Sequence, residues 1–345
     1  MQSPLPAPDF ETFRQRLAQG LTAPDATASQ AARDRQANLT KPPGSLGVLE
    51  DLAVFMAGWQ GRARPRIARA QAVVFAGNHG VCARGVNPYP QAVTAQMVAN
   101  FNSGGAAINQ LCRVTGAALS VVPLDLDRPT GDFTAGPAMT ETEVLAAMAQ
   151  GAAAVDPQAD IVLLGEMGIG NSTVAAALAL ALFGGRAEDW VGPGTGADAT
   201  GVALKARVIN EGMARHRPDP GDGLGLLRAF GGREQAAICG AILAARRARV
   251  PVILDGFICT AAAAVLHPIA GALDHCIAGH CGSEPGHRRL LEALALRPVL
   301  SLDMRLGEGS GAAVALGVLR AALAVHDGMA TFAEAGVSGG TSAGH

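Results

Sequence analysis

The chain has 345 residues, a formal net charge of −2, 16% charged residues and 4% aromatic residues. That length exceeds what one compact core usually takes and leaves room for a deep cleft. Lys and Arg are scattered rather than striped, so a nucleic-acid partner is not expected and small-molecule partners are.

The N-terminal stretch MQSPLPAPDFETFRQRLAQG carries acids and prolines before any apolar run and does not read as a signal peptide. The first sixty residues look helical, interrupted by KPPGSLG at 41–47. Short runs rich in Val, Ile and Leu then recur, beginning with QAVVFAG at 71 and LSVVPLD at 119. DIVLLGE at 160, VPVILDG at 250 and RPVLSLD at 297 continue the series, and each reads as a strand buried on both faces. Alanine-rich segments of helical length separate them. The alternation predicts a doubly wound α/β fold with a mostly parallel sheet and helices on both faces. VAAALALALF at 174–183 is too short to cross a bilayer and reads as a buried helix, so no membrane partner is expected. The last helix is placed to end near Ala335, before a tail expected to be mobile. The six cysteines form no CxxC pair and several lie in apolar runs, which predicts a reduced, cytoplasmic protein.

In such sheets ligands sit outside the carboxyl ends of the strands, so the loops after these runs carry the candidates. GEMGIGNST at 165–173 follows a strand and opens a helix. Its glycines, Gly168 and Gly170 among them, allow close backbone approach, and the helix start with Asn171 and Thr173 favours an anion such as phosphate. A tight structural turn is the competing reading. Glu166 beside a phosphate costs Coulomb energy unless it faces a cationic end of the same ligand. VGPGTGAD at 191–198, with Gly194 and Gly196, is a second glycine loop, and Lys205 downstream is placed to close on a phosphate or to sit on a solvated helix face.

GHCGSEPGHR at 279–288 spaces His280, Cys281, Glu284 and His287 in a way that suggests metal. Pro285 and Gly286 argue against one continuous helix presenting Glu284 and His287, no second ligand cluster exists, and a loop lining the cleft is the preferred reading. No metal and no cofactor are therefore expected. VVPLDLDRPTGD at 121–132 only superficially suggests a phosphoribosyl-pyrophosphate loop. Asn78 and His79 in FAGNHGV lie on a strand-end loop, where a lone histidine is either hydrogen-bonded structure or a site residue. Asp255 after VIL is either a helix cap or an active-site support. MRLGEGSGAA at 304–313 sets Glu308 between Gly307 and Gly309, ahead of an alanine-rich helix. A nicotinamide-dependent dehydrogenase is disfavoured because no GxGxxG with a downstream ribose-binding acid is present.

Taken in order, KPPGSLG, HGV, VTAQM, GEMGIGNST, LDGF, SEPGH and MRLGEGSGAA resemble the nicotinate-nucleotide–dimethylbenzimidazole phosphoribosyltransferase family, from about Lys41 to Ala313. The resemblance implies transfer of the phosphoribosyl group of nicotinate mononucleotide to 5,6-dimethylbenzimidazole, giving α-ribazole 5′-phosphate with inversion at C1′. It implies Glu308 as general base, Glu166 near the ribose, and phosphate against Gly168, the GIGNST helix start and Lys205. The acceptor would slot between the NPYP loop with Tyr89, the helix carrying Met97, and Leu306. Many relatives carry aspartate at the position of Asn78 and often serines at those of Gly279 and Gly282, which leaves Ser283 as the hydroxyl for a phosphate contact. The family fold implies a small helical domain from residues 1–65 and 304–336 around a large α/β domain at 66–303, with a flexible tail at 337–345, in a homodimer. A nucleotide or benzimidazole carrier without catalysis is the non-enzymatic alternative.

Overall fold

The computed structural model describes residues 5–18 and 20–338, so most of the tail expected at 337–345 lies outside the described residues. Three helices come first: α1 (Phe10–Leu17), α2 (Ala26–Asn38) and α3 (Val48–Gln60). Asp9 and Asp25 cap the first two by accepting from the amides of Thr12 and Ala28. Then follow β1 (Ala70–Ala76), α4 (Ala92–Asn102), α5 (Ala107–Thr115), β2 (Ala117–Pro123), α6 (Glu141–Ala154), β3 (Ile161–Met167) and α7 (Asn171–Phe183). The chain continues through α8 (Ala199–His216), α9 (Gly223–Phe230), α10 (Arg233–Ala248), β4 (Val252–Leu254) and α11 (Phe257–Ala264). It closes with β5 (Cys276–His280), α12 (Pro285–Ala293), β6 (Pro298–Leu300), α13 (Ser310–Gly328) and α14 (Phe332–Ala335).

Among the described residues the six strands are all parallel, in the order β2-β1-β3-β4-β5-β6. Side chains alternate between two cores, as the period of a strand requires. Val73, Phe75, Val162, Leu164, Val252 and Leu254 join one core, shared with α6, α7, α10 and α11. Ala72, Val74, Ile161, Leu163 and Ile253 join the other, shared with α3, α5 and α13. The doubly wound sheet expected from the sequence is therefore present. Each of the five strand runs read from the sequence is a strand, but β5 was missed. Its residues, Cys-Ile-Ala-Gly-His, hold a single β-branched side chain, and its end falls in the segment read as a loop. The helix objection at Pro285 is also corrected. Glu284 is the N-cap and Pro285 opens α12, where a missing amide costs nothing.

By length and composition α13 could cross a membrane. Its Ala312, Ala315, Leu316 and Leu319 are instead buried on the sheet, and its far end meets the N-terminal helices. There the Arg35 guanidinium donates to the carbonyls of His326, Asp327 and Met329, Gln36 bonds His326, and Leu39 forms an antiparallel bridge with Thr331. The two ends of the chain are thus joined.

Helices α6 and α10 touch backbone to backbone. A methyl group on Gly151 would lie 1.8 Å from the Ala237 carbonyl oxygen, and one on Gly240 would lie 1.8 Å from that of Met148. Gly240→Val is expected to push the pair apart at an overpacking cost of about 1–3 kcal/mol. Thermal denaturation should show a Tm lower by several degrees, while Gly136→Ala, with nothing within 4 Å of the added carbon, should leave it unchanged. Equal Tm values for the two would refute this account of the contact.

Candidate active site

Strand order reverses between β1 and β3, and at such a point the loops after the two strands diverge and leave a crevice. The cleft opens there. Glu166, Gly168, Gly170, Asn171, Gly194, Lys205, Leu306 and Gly307 line it, joined by Ser172, Glu284 and Arg305. Glu166 is the penultimate residue of β3, and its carboxylate accepts a hydrogen bond from the Asn171 side-chain amide at the start of α7. Burial, then the nearby charges of Asp255 and Glu234, push its pKa up to about 8.

The loop after β6 returns across the sheet and lies on β3. Gly307, Glu308 and Gly309 have φ of 84°, 64° and 83°, three left-handed residues in succession. For a glutamate this conformation costs on the order of 1–2 kcal/mol. The Glu308 amide donates to the Glu166 carbonyl at 3.2 Å, so the two acidic residues are joined through their main chains. The Glu308 carboxylate is buried, and its Oε2 has no hydrogen-bond partner among the described residues. Burial raises its pKa, opposed by the Ile108 amide at the start of α5.

The other end of the cleft is cationic. Lys205 Nζ, on α8, donates to Ser172 Oγ at 3.2 Å and to the Gly192 carbonyl at 3.0 Å, which leaves one of its three protons uncommitted. Burial lowers its pKa. Arg305 reaches the Gly194 carbonyl at 3.3 Å, and Glu284 accepts from the Gly194 amide at 2.9 Å, so these two side chains hold the 191–198 loop from opposite elements. Burial raises the Glu284 pKa. Glu284, on the loop read from the sequence as lining the cleft rather than holding a metal, and Arg305, not singled out, are both part of the cleft. The signal for Arg305 was its place two residues before a glycine loop.

Several expected site residues lie behind the cleft wall rather than in it. His79 is fully buried with Nε2 3.1 Å from Glu234 Oε1, and Asn78 donates to the Leu126 carbonyl. A side chain at Gly168 would begin 3.0 Å from His79 Nε2, so the histidine packs under the loop from the sheet side. Thr173 is fully buried in α7. The Asp255 carboxylate accepts from the amides of Gly309 and Ala312 at 3.1 and 3.0 Å, and burial pushes its pKa up to about 7 against those amides. Ser283 donates to the Asp303 carbonyl on the rim. Gly196, at φ 115°, has open space around it. Tyr89 lies half exposed in a neighbouring depression that shares Asn87 with the cleft, and Met97 packs against the second core, so only Leu306 of the acceptor trio lines the cleft itself.

The histidines in GHCGSEPGHR are committed to hydrogen bonds or to burial. His287 Nδ1 accepts from the Gly282 amide and its Nε2 faces Thr260 Oγ1, which fixes a neutral tautomer; burial takes its pKa down to about 3. His280 stands 3.7 Å from Asp255.

A phosphoribosyltransferase family model matches residues 21–337. A protein from Jannaschia sp. named nicotinate-nucleotide–dimethylbenzimidazole phosphoribosyltransferase is 60% identical over 92% of this chain and 95% of its own length. One of the same name from Ruegeria pomeroyi is 60% identical over 96% of this chain and 98% of its own. A crystal structure of the Thermus thermophilus protein of that name superposes with a TM-score of 0.84 at 42% identity, covering 92% of this chain and all of that one. With the model spanning most of the chain and relatives this similar over nearly their whole length, the chain belongs to the nicotinate-nucleotide–dimethylbenzimidazole phosphoribosyltransferase family.

Proposed function

We propose that this protein transfers the phosphoribosyl group of nicotinate mononucleotide to 5,6-dimethylbenzimidazole, with inversion at C1′ and Glu308 as the general base. The observation that carries the reading is one cleft with a buried carboxylate, Glu166, at one end and Lys205 and Arg305 at the other, with the buried Glu308 next to the lining residue Gly307 and bonded to the Glu166 main chain. Nicotinate mononucleotide has the matching polarity, a phosphate at one end and a pyridinium at the other.

The phosphate is assigned to Lys205, with its uncommitted proton, Ser172 and the N-terminus of α7, where the helix dipole favours an anion. Gly194 carries no side chain there: a methyl group on it would lie 2.9 Å from Ser172 Oγ and 3.0 Å from Lys205 Nζ. The pyridinium and ribose then lie toward Glu166. As the C1′–N bond breaks, its electron pair returns to the pyridine nitrogen, so the leaving group departs neutral at that atom and needs no acid. The ribose gains positive character, which the Glu166 carboxylate stabilises electrostatically. A benzimidazole nitrogen bonds to C1′ from the opposite face and would become cationic. Its ring loses the proton of the other nitrogen to Glu308, whose free Oε2 has an unused acceptor site. The acceptor ring is assigned to the Leu306 side of the cleft. The six cysteines, all free, fit a reducing, cytoplasmic setting, and a homodimer follows from the family resemblance.

Glu308→Gln removes the base and keeps the shape. Turnover to α-ribazole 5′-phosphate, followed by chromatography, is expected to fall about 10²-fold or more with binding retained; near-normal turnover would reassign the base. Glu166 supplies a second test through pH. Its raised pKa means that the free enzyme holds it protonated below about 8, so the stabilising carboxylate is gained as pH rises. The kcat/KM for nicotinate mononucleotide should therefore rise through about pH 8, a step that Glu166→Gln abolishes. In kcat the same step should lie at lower pH, because the bound pyridinium favours the ionised form. A kcat/KM profile flat from pH 6 to 9 would contradict the assignment.

A further inference from the structure

We propose that Asp255 is a positioning residue for Glu308: its buried carboxylate, bonded to the amides on either side of the α13 start, holds the glutamate's left-handed backbone against β3. The inference rests on Glu308 being the base proposed above.

A glutamate between two left-handed glycines would leave that conformation unless its surroundings fixed it on both sides. One side is the sheet. A methyl group at Gly165 would lie 2.5 Å from the Gly309 amide nitrogen and 2.7 Å from the Glu308 carbonyl carbon, so the loop rests directly on a strand with no side chain there. The other side is Asp255, which follows β4 and is 1% exposed. Its Oδ2 accepts from the amide immediately after Glu308, at 3.1 Å, and its Oδ1 from the Ala312 amide in the first turn of α13, at 3.0 Å. An ordinary helix cap belongs to the residue that precedes the helix. Here that place is taken by Gly309 at φ 83°, which has no side chain to offer, and the acceptor comes from a residue 54 positions away in the chain. Asp255 does not line the cleft; it reaches the substrate through the loop it holds and through its charge, which raises the pKa of Glu166.

Only an acceptor at both oxygens satisfies two converging amides. Asp255→Asn keeps the shape but turns one of the two atoms into a donor facing a donor, which frees either Gly309 or Ala312. A displacement of about 1 Å at a catalytic group can cost about 10²-fold in rate.

The experiment is a double-mutant cycle on kcat with nicotinate mononucleotide and 5,6-dimethylbenzimidazole, with Tm recorded for each protein. Asp255→Asn is expected to lower kcat by about 10- to 100-fold while KM for the nucleotide changes little. Assayed above about pH 8, where Glu166 is ionised with or without the Asp255 charge, the same substitution in the Glu308→Gln background should cost almost nothing more, because the residue it positions no longer reacts. If Asp255→Asn does not fold, Asp255→Ser, which offers one acceptor in place of two, takes its place in the same cycle. An undiminished loss in the Glu308→Gln background would overturn the proposal, as would a normal kcat in Asp255→Asn. Full turnover of Glu308→Gln on its own would instead remove the base assignment on which the proposal stands, so the two failures are distinct.

Discussion

Contact between the 307–309 loop and β3 is the constraint on which the site depends. Gly165 has no side chain, so the main chain of a segment that follows the edge strand β6 can lie on β3 and donate from Glu308 to the Glu166 carbonyl. Two acidic residues 142 positions apart in the chain become neighbours through one backbone hydrogen bond. A side chain at 165 would lift the loop by more than an ångström and separate them. Close packing transmits such shifts instead of absorbing them.

That contact also sets the electrostatics. Glu166, Asp255, Glu308 and Glu234 are all buried, and repulsion among them adds to desolvation in raising the Glu166 pKa. Unliganded, this is an unfavourable arrangement, since each buried carboxylate either takes up a proton or keeps a charge with few partners. The local cost becomes useful when the ligand brings a positive charge. A cation in the cleft relieves the repulsion, and the relief is greatest when positive charge also develops on the ribose. Binding and rate enhancement thus draw on the same carboxylates, while the charge of opposite sign at Lys205 and Arg305 sets the direction in which the ligand lies.

The sequence made the sheet legible because five strands are long or strongly apolar, and it made the loops legible because glycine and charge stand out against an alanine-rich background. β5 was lost because Cys-Ile-Ala-Gly-His has little β-branched content and runs straight into a histidine-rich segment. Pro285 was read as a helix breaker, although at the first helical position it is a helix starter. Glu166, Lys205 and Glu308 could be named from residue type and local pattern. The partners Glu234 for His79 and Glu284 for Gly194 could not, since each bond links segments far apart in the chain and nothing in either segment encodes the other.

Asp255 shows where local reading stops. An aspartate after a strand and before a helix has two readings, a cap for its own helix or a group facing the ligand, and the sequence left both open. The fold supports a third. The carboxylate turns away from α11, the helix that follows it, and caps α13, which begins two residues after Glu308. The choice is physical. α11 follows Gly256, an N-cap with no side chain to offer its first turn, whereas the start of α13 would otherwise bury the Gly309 and Ala312 amides without acceptors beside a strained glutamate. An unmet buried amide costs about 1–3 kcal/mol, and two of them converge where Asp255 stands. The strongest local demand for an acceptor therefore comes from the loop that carries Glu308, and the aspartate meets it there.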